Sequence, residues 1–242
     1  MKRHIPNFLT SMNLFSGCLA LVAAFNGNLV AASILIGIAG IFDFFDGFSA
    51  RILHVKSEIG KELDSLADIV SFGVVPAAII FMMIKHNTTL INGISLFGTD
   101  IVAYIAFVIP VFSALRLAKF NLDTRQTDSF IGVPTPANAI LIASFPLIIN
   151  QLDKNNFFSL MLNNSYFLIA ITIVFSFLLV SELPLFALKF KNIKWKENWY
   201  RFVFLMCSLI LILTFQFLAL PIIILLYILI SLGIKFFGLS AD

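Results

Sequence analysis

Long apolar runs divide the chain, and charged residues are almost confined to the short segments between them. A helix that crosses a bilayer needs about 20 predominantly apolar residues, within a range of about 17–25. On that measure the sequence predicts about eight spans. They lie at residues 8–25, 29–52, 62–84, 100–120, 135–152, 166–188, 201–216 and 219–237. Only a tight hinge around Leu218–Pro221 separates the last two, so one long segment in their place remains an alternative.

The composition favours the same class of fold. Hydrophobic residues make up 60% of the chain and charged residues 12%, whereas a soluble domain is about 25% charged. Membrane barrel strands are segments of about ten residues with alternating polarity, and no such segments occur. We therefore expect an all-α, polytopic membrane helical bundle. No linker or internal repeat divides it, which predicts a single domain over residues 1–242. A net charge of +3 is too small to indicate a nucleic-acid partner.

The distribution of Lys and Arg predicts the orientation, because cytoplasmic loops carry an excess of these residues. If the N-terminus is cytoplasmic and the spans number eight, all of the 16 Lys and Arg residues except Lys85 and Lys154 fall in cytoplasmic segments. The C-terminus is then cytoplasmic too. A count lower by one span would move Lys235 alone, so the bias predicts the orientation more firmly than it predicts the last span.

Four aspartates interrupt the apolar pattern around the second and third spans. They are Asp43, Asp46, Asp64 and Asp68, and they belong to a total of only 13 Asp and Glu residues. An aspartate in the middle of a membrane helix costs about 2.5–3.5 kcal/mol on insertion scales. Each pair is spaced by three or four residues and therefore shares a helix face. The short connection between the spans makes the helices antiparallel neighbours, so their cytoplasmic ends can present four carboxylates to one point.

Four carboxylates at one point are suited to hard divalent cations such as Mg²⁺ or Mn²⁺. Two ions fit such a set, because one carboxylate can bridge them. Next to the aspartates, Gly47 leaves room for a ligand to approach the backbone, Ala50 keeps the same face open, and the guanidinium of Arg51 can hold a phosphate. The pattern therefore indicates metal-assisted phosphoryl transfer on a substrate whose tail lies in lipid.

Two other interpretations of the aspartates stay open from the residues alone. Salt bridges to Arg51, Lys56 and Lys61 would account for one or two of them and leave at least two unpaired. A divalent-cation transporter would use them as a transit site, since intramembrane acids often mark ion pathways. Against the transporter, the acids cluster at one end of the spans, and no matching acid lies at the other side of the bilayer.

The same residues carry a resemblance to a known family. The pattern Asp43-x2-Asp46-Gly47-x2-Ala50-Arg51-x8-Gly60-x3-Asp64-x3-Asp68 resembles the signature of the CDP-alcohol phosphatidyltransferases at every fixed position. These are helical membrane enzymes that transfer a phosphatidyl-type group from a CDP-linked donor to an alcohol and release CMP. The resemblance implies that Asp43, Asp46 and Asp64 are metal ligands and that Asp68 is both a ligand and the general base. It also suggests a homodimer.

Further positions are implied to contact the CDP part of the donor. Gly47, Arg51 and Ser57 align with positions that have this role in the family. The segment Pro6-Asn7-x2-Thr10 resembles a stretch that lines the nucleotide site, which adds Asn7 and Thr10 to the expected CDP-binding residues.

Two later segments narrow the choice of acceptor alcohol. Residues Leu115–Asn121 and Gly132–Asn138 resemble segments of the membrane-integral bacterial phosphatidylserine synthases, although Lys119 stands where Arg is expected. The resemblance implies transfer from CDP-diacylglycerol to L-serine at the cytoplasmic face of a bacterial inner membrane. A sister activity toward glycerol 3-phosphate or inositol is the alternative within the family.

Two residues in these segments are candidate acceptor or phosphate ligands. Arg116, at the cytoplasmic end of the fourth span, can bind the serine carboxylate or the donor phosphate; a snorkelling interfacial residue is the alternative. Pro134 and Pro136 interrupt the helix register before the fifth span, which lets Thr135 offer its hydroxyl to a ligand. An ordinary helix start with proline in the first turn is the alternative there.

Overall fold

The computed structural model describes residues 4–55, 57–87, 94–123, 129–186 and 195–237, and these ranges are mostly helical. The all-α class is therefore confirmed. The helices are α1 (His4–Phe25), α2 (Leu29–Ile52), α3 (Glu58–Asp68), α4 (Val75–Asn87), α5 (Val108–Leu122), α6 (Thr135–Gln151), α7 (Phe157–Leu162), α8 (Ser165–Val180), α9 (Trp195–Phe215) and α10 (Ala219–Phe237). Lys56 and Arg125 lie outside the described residues, as do residues 187–194 with three further predicted cytoplasmic lysines.

Asparagine and serine side chains begin several of these helices. Asn28 accepts a hydrogen bond from the backbone N–H of Ala31 at the start of α2, and Ser57 accepts one from Gly60 at the start of α3. Such side chains satisfy N–H groups that have no partner inside the helix. In an apolar medium these caps define where each span begins.

Two short antiparallel strand pairs occur among the described residues. Strand β1 (Ser95–Leu96) pairs with β2 (Thr99–Asp100). Strand β3 (Ser129–Ile131) pairs with β4 (Pro184–Phe186), with Ile131 opposite Pro184. The second strand pair ties the segment before α6 to the segment after α8. Gly132 follows β3 with φ +75°, and a Cβ atom there would collide with the carbonyl oxygen of Leu179, so this close approach requires glycine.

One continuous helical rod runs from α3 to α4 and changes its winding in the middle. Residues Ile69–Val74 form a π-helical turn directly after Asp68. Pro76 offers a physical reason, because proline has no N–H and its ring crowds the carbonyl four residues earlier, here that of Phe72. A turn with i→i+5 hydrogen bonds relieves that crowding without ending the helix.

Helix α4 is the core of the molecule. Every residue from Val75 to Ile84 is buried, and α1, α6, α8 and the 3₁₀ segment Ile101–Phe107 pack against it. The buried face of α1 consists of small residues that allow close packing, as expected for helices that associate in lipid. They are Thr10, Asn13, Ser16, Gly17, Ala20 and Ala24.

Within the described ranges, five helical stretches are long and apolar enough to cross a membrane. They are His4–Phe25, Leu29–Ile52, Glu58–Asn87, Ile101–Leu122 and Asn198–Phe236. Helix α6 has 17 residues, which is the lower end of the range for a span, and α8 has 16, just below that range. The predicted span at 166–188 is wrong at its end, because α8 stops at Val180 and β4 follows.

The last stretch contains two helices. A 3₁₀ turn at Gln216–Leu218 interrupts it, and Gln216 has φ +51°. The chain reverses there, since Phe204 of α9 packs against Tyr227 of α10 with ring centroids 5.7 Å apart. The Tyr227 hydroxyl donates to the carbonyl oxygen of Phe186, and this bond holds the helical hairpin formed by α9 and α10 against β4.

Candidate active site

Three of the four predicted metal ligands come together where α2 meets α3. One carboxylate oxygen from each of Asp43, Asp64 and Asp68 lies within 4.8 Å of the other two. Asp68 is buried, while the other two are partly exposed. Like charges at this spacing repel strongly when water is scarce, so all three groups can be ionised together only with compensating positive charge.

Asp46, the fourth predicted ligand, lies outside that group of three. Its Oδ2 accepts a hydrogen bond from the Thr10 hydroxyl at 2.7 Å, and both side chains are buried. The first turns of α1 are thereby attached to the C-terminal half of α2. Thr10 was expected to line the nucleotide site, and its contact with Asp46 places it beside the carboxylates.

Helix α1 also contacts Asp68, through a residue that the sequence interpretation did not include. Asn13 is fully buried, and its Nδ2 donates to Asp68 Oδ1 at 3.2 Å. The Ser71 hydroxyl, in the π-helical turn, donates to the backbone oxygen of Asn13 at 3.1 Å. Gly17 permits this approach, because a Cβ atom there would collide with Ser71 Oγ. A helical spacing from Pro6 and Thr10 was the available signal for Asn13.

Two of the cations expected to neutralise the aspartates in the salt-bridge interpretation bond elsewhere. Arg51 Nε donates to the Gly47 carbonyl oxygen at 3.0 Å, and Lys61 Nζ donates to the Asn121 carbonyl oxygen at 3.2 Å. Lys56 lies outside the described residues. Among the residues that the structure describes, these bonds weigh against the salt-bridge interpretation.

A cavity of about 590 Å³ opens beside the carboxylates. Its described lining comes from α1, the end of α2 and the start of α3, and it contains most of the expected CDP-binding residues. The lining residues are Pro6, Asn7, Thr10, Asp46, Gly47, Ala50, Val55, Ser57, Glu58, Gly60, Lys61 and Asp64. Arg51 is exposed and does not belong to this described lining.

Gly60 explains how the cavity keeps its shape. Its backbone N–H bonds to Ser57 Oγ, and the Asn7 side-chain oxygen would lie 2.9 Å from a Cβ atom at this position. Any larger residue would therefore displace Asn7 from the wall. The fixed glycine of the motif has a steric reason in the contact between α1 and α3.

Arg116 and Thr135 form a second polar group. Arg116 is buried, its Nη1 donates to Thr135 Oγ1 at 3.1 Å, and its guanidinium lies 5.6 Å from the centre of the Phe120 ring. Burial excludes the snorkelling alternative for Arg116. Arg116 and Lys119 both line a cavity of about 310 Å³.

Several buried polar atoms near these groups have no hydrogen-bond partner among the described residues. They include Oδ1 of Asn13, Oδ1 of Asp64, Nε of Arg116 and both amide atoms of Asn138. Asn138, for which no role was predicted, lies one helical turn after Thr135 and is fully buried. Because buried polar groups normally have partners, this concentration indicates a binding site for polar or charged ligands.

The group of three carboxylates, Asp43, Asp64 and Asp68, has the ligand atoms that a divalent metal prefers. Hard cations prefer oxygen ligands, and aspartates from two adjacent helices can enclose one. The unpartnered Oδ1 of Asp64 is the kind of buried acceptor that such an ion would satisfy. The number of ions and their identity are proposals, as is the role of Asp46.

Comparison with known proteins identifies the family to which the chain belongs. The sequence profile of the CDP-alcohol phosphatidyltransferase family matches residues 3–236, and the chain belongs to that family. Five residues of the signature, Asp46, Gly47, Ala50, Gly60 and Asp64, line the first cavity, and Asp64 also belongs to the group of three carboxylates with Asp43 and Asp68.

Individual relatives carry more specific names. A CDP-diacylglycerol–serine O-phosphatidyltransferase of Helicobacter pylori strain 26695 is 31% identical over 211 residues, which is 86% of this chain and 81% of the relative. The enzyme of that name from Bacillus subtilis is 33% identical over 59% of this chain and 76% of its own length. An archaetidylserine synthase of Methanothermobacter thermautotrophicus is 35% identical over 59% of this chain and 58% of its own length.

Proposed function

We propose that this chain transfers the phosphatidyl group from CDP-diacylglycerol to the hydroxyl of L-serine and releases CMP. The observation that carries the proposal is the group formed by Asp43, Asp64 and Asp68 beside a cavity that Asp46, Gly47, Ala50 and Gly60 of the signature line. Membership of the family supports the reaction type. The names of the Helicobacter and Bacillus relatives support serine as the acceptor.

In the proposed reaction Asp68 accepts the proton of the serine hydroxyl. The serine oxygen then attacks the phosphorus that carries diacylglycerol, and the bond from this phosphorus to the bridging oxygen of the pyrophosphate breaks. Asn13 holds one oxygen of Asp68 in place and leaves the other for the hydroxyl. Divalent metal held by the aspartates would neutralise the charge of the pyrophosphate.

The donor occupies the 590 Å³ cavity in this proposal. Asn7, Thr10, Gly47 and Ser57 line it and are the residues proposed to contact the CDP group. Arg51 is exposed at the end of α2, so its contact with a donor phosphate requires its side chain to leave the Gly47 carbonyl.

In this proposal the acceptor binds to Asp68 and Arg116. Arg116 is buried, it has an unpartnered Nε, and Thr135 fixes the plane of its guanidinium. A guanidinium in this state is well suited to a carboxylate, with which it can form two parallel hydrogen bonds. We therefore assign the serine carboxylate to Arg116 and a supporting role to Thr135.

Orientation and assembly are part of the same proposal. The excess of Lys and Arg predicts that the carboxylate end of the bundle faces the cytoplasm, where serine is available. A bacterial inner membrane and a homodimer follow from the family resemblance. Crosslinking in membranes and light scattering of the detergent-purified protein would test the dimer, and accessibility of single introduced cysteines to an impermeant reagent would test the orientation.

An acceptor panel tests the proposed activity. The purified protein is given CDP-diacylglycerol, Mg²⁺ or Mn²⁺, and one alcohol at a time, and CMP is measured. We expect CMP release with L-serine at a rate far above that with glycerol 3-phosphate or inositol. Release with glycerol 3-phosphate but not with serine would overturn the acceptor assignment and keep the reaction type.

Metal removal tests the role of the carboxylates. Chelation is expected to abolish CMP release, and addition of Mg²⁺ or Mn²⁺ to restore it. The same protein in liposomes should show no metal flux. Flux without CMP release would instead favour the transporter interpretation.

A further inference from the structure

The amide of Asn13 is only half satisfied. The residue is fully buried, its Nδ2 donates to Asp68 Oδ1 at 3.2 Å, and its Oδ1 has no hydrogen-bond partner among the described residues. A carboxylate only accepts hydrogen bonds, so the NH₂ group must face Asp68 and the carbonyl oxygen must face away from it. A buried acceptor of this kind is expected to meet a donor when the site is filled.

The surroundings of Asn13 hold that oxygen in place. Ser71 Oγ donates to the Asn13 backbone oxygen, and Gly17 allows Ser71 to approach α1 closely. The side chain is therefore fixed at both ends, by Ser71 through its backbone and by Asp68 through its amide. An acceptor fixed in this way can select a ligand without the cost of ordering a mobile side chain.

We propose that the Asn13 carbonyl oxygen accepts a hydrogen bond from the α-ammonium group of the acceptor, and that Asn13 is thus a specificity-determining residue. The inference rests on the proposed function with L-serine. In serine the hydroxyl-bearing and ammonium-bearing carbons are adjacent, so with the hydroxyl at Asp68 the ammonium can reach the amide of Asn13, which bonds Asp68. The carboxylate is left for the buried guanidinium of Arg116, as in the proposed function.

Three groups of serine would then meet three different side chains. Asp68 takes the hydroxyl, Asn13 the ammonium and Arg116 the carboxylate. A bond from an ammonium is charge-assisted and stronger than a bond from a neutral hydroxyl. A site built around such a bond rejects an analogue that lacks the donor, because its buried acceptor is left unpaired.

A comparison of two acceptors tests this on the unaltered protein. 3-Hydroxypropionate is serine without its ammonium group and keeps the hydroxyl and the carboxylate. We expect kcat/KM for CMP release to be lower by about tenfold or more with 3-hydroxypropionate than with L-serine, as for a lost hydrogen bond to a charged group. Equal values would overturn the inference. Use of another alcohol and not of serine would overturn both the inference and the proposed function.

Variants separate recognition of serine from the orientation of Asp68. Asn13→Leu removes both amide functions and is expected to raise KM for serine about tenfold or more, with KM for CDP-diacylglycerol and the half-saturating Mn²⁺ concentration changed by less than about twofold. Asn13→Asp keeps an oxygen acceptor and loses the donor to Asp68. It is expected to lower kcat while KM for serine stays close to that of the unaltered protein.

Two results would contradict the assignment. A fall in kcat alone for Asn13→Leu means that Asn13 acts only through Asp68, and a large rise in the Mn²⁺ requirement means that Oδ1 is a metal ligand. Ser159→Ala is the matched control, because Ser159 is a fully buried polar residue of α7 with an unpartnered hydroxyl among the described residues. If Asn13→Leu does not fold, as judged by thermal unfolding, Asn13→Asp and the two-acceptor comparison decide.

Discussion

The rod Glu58–Asn87 and the hairpin Asn198–Phe236 are both apolar, but they have opposite surroundings. Mean hydropathy in the richest window is 2.2 for the rod and 2.8 for the hairpin, whereas 83% of the first window and 11% of the second are buried inside the protein. Hydropathy therefore does not tell which span forms the core. A leucine that faces lipid does not contact water, so it loses no hydrophobic stabilisation relative to a leucine buried in the protein. Packing and polar contacts therefore decide the position of a helix in the membrane.

The polar residues of the two regions differ accordingly. The rod carries Asp64, Asp68 and Ser71, and it is packed against the small-residue face of α1. The hairpin has no Asp, Glu, Lys or Arg between Phe202 and Ile234. A helix with intramembrane acids has to be enclosed by protein, while the hairpin can face the acyl chains directly.

The largest difference between the regions should appear in turnover. Asp68→Asn is expected to lower kcat by about 10²–10⁴, the usual contribution of a general base, while binding of the CDP donor survives. CMP release and donor binding in detergent would measure both quantities. Asp153→Asn, which changes an exposed acid after α6, is the control and should have no effect on either. Near-normal turnover of Asp68→Asn would contradict its assignment as the base.

A second difference is expected in stability. Ile80 in α4 is fully buried, whereas Leu213 in α9 is 74% exposed. Ile80→Ala should destabilise the protein by about 2–5 kcal/mol through lost contacts and a cavity, and Leu213→Ala by less than about 0.5 kcal/mol. Thermal unfolding in one detergent compares them. Equal shifts in Tm would show that the hairpin is packed as tightly as the core.

Glycines allow a finer test of the packing around the rod. Gly17→Ala places a methyl group against Ser71 and is expected to cost about 1–3 kcal/mol, as for other overpacked sites. It should also lower kcat, because Asn13 and Asp68 shift together. Gly37→Ala in α2 is the matched control, since a Cβ atom there meets nothing within 4 Å. That change should be neutral or stabilising by up to about 1 kcal/mol, because alanine favours a helix. A loss of stability equal to that of Gly17→Ala would refute the steric explanation.

The smallest effect is expected where the hairpin is tied to the remainder of the bundle. Gln151 Nε2 donates to Gln216 Oε1 at 2.9 Å, at an exposed position. Gln151→Ala should lower stability by no more than about 1 kcal/mol and leave CMP release unchanged. Circular dichroism during heating and the CMP assay would measure these. A marked loss of activity would mean that the hairpin position is coupled to the site.

Much of this organisation could be predicted from residue spacing. The aspartate pairs at i, i+3 and i, i+4 indicated one face on each of two helices, and the short connection indicated that the helices are neighbours. Asp43, Asp64 and Asp68 meet as expected, and Gly47, Ala50 and Gly60 line a cavity. The ends of the spans were less predictable, because apolarity alone does not mark the end of α8 at Val180 or the π-helical turn after Asp68.

The sequence by itself determined the helical membrane class and the two acid-bearing faces, because both depend on local periodicity and on the cost of charge in lipid. The tertiary structure alone decided that Asp46 is bonded to Thr10, that Asn13 reaches Asp68 and that Arg116 is buried against Thr135. Those contacts join residues 19 to 55 positions apart. Their existence depends on how helices pack, which no local pattern encodes.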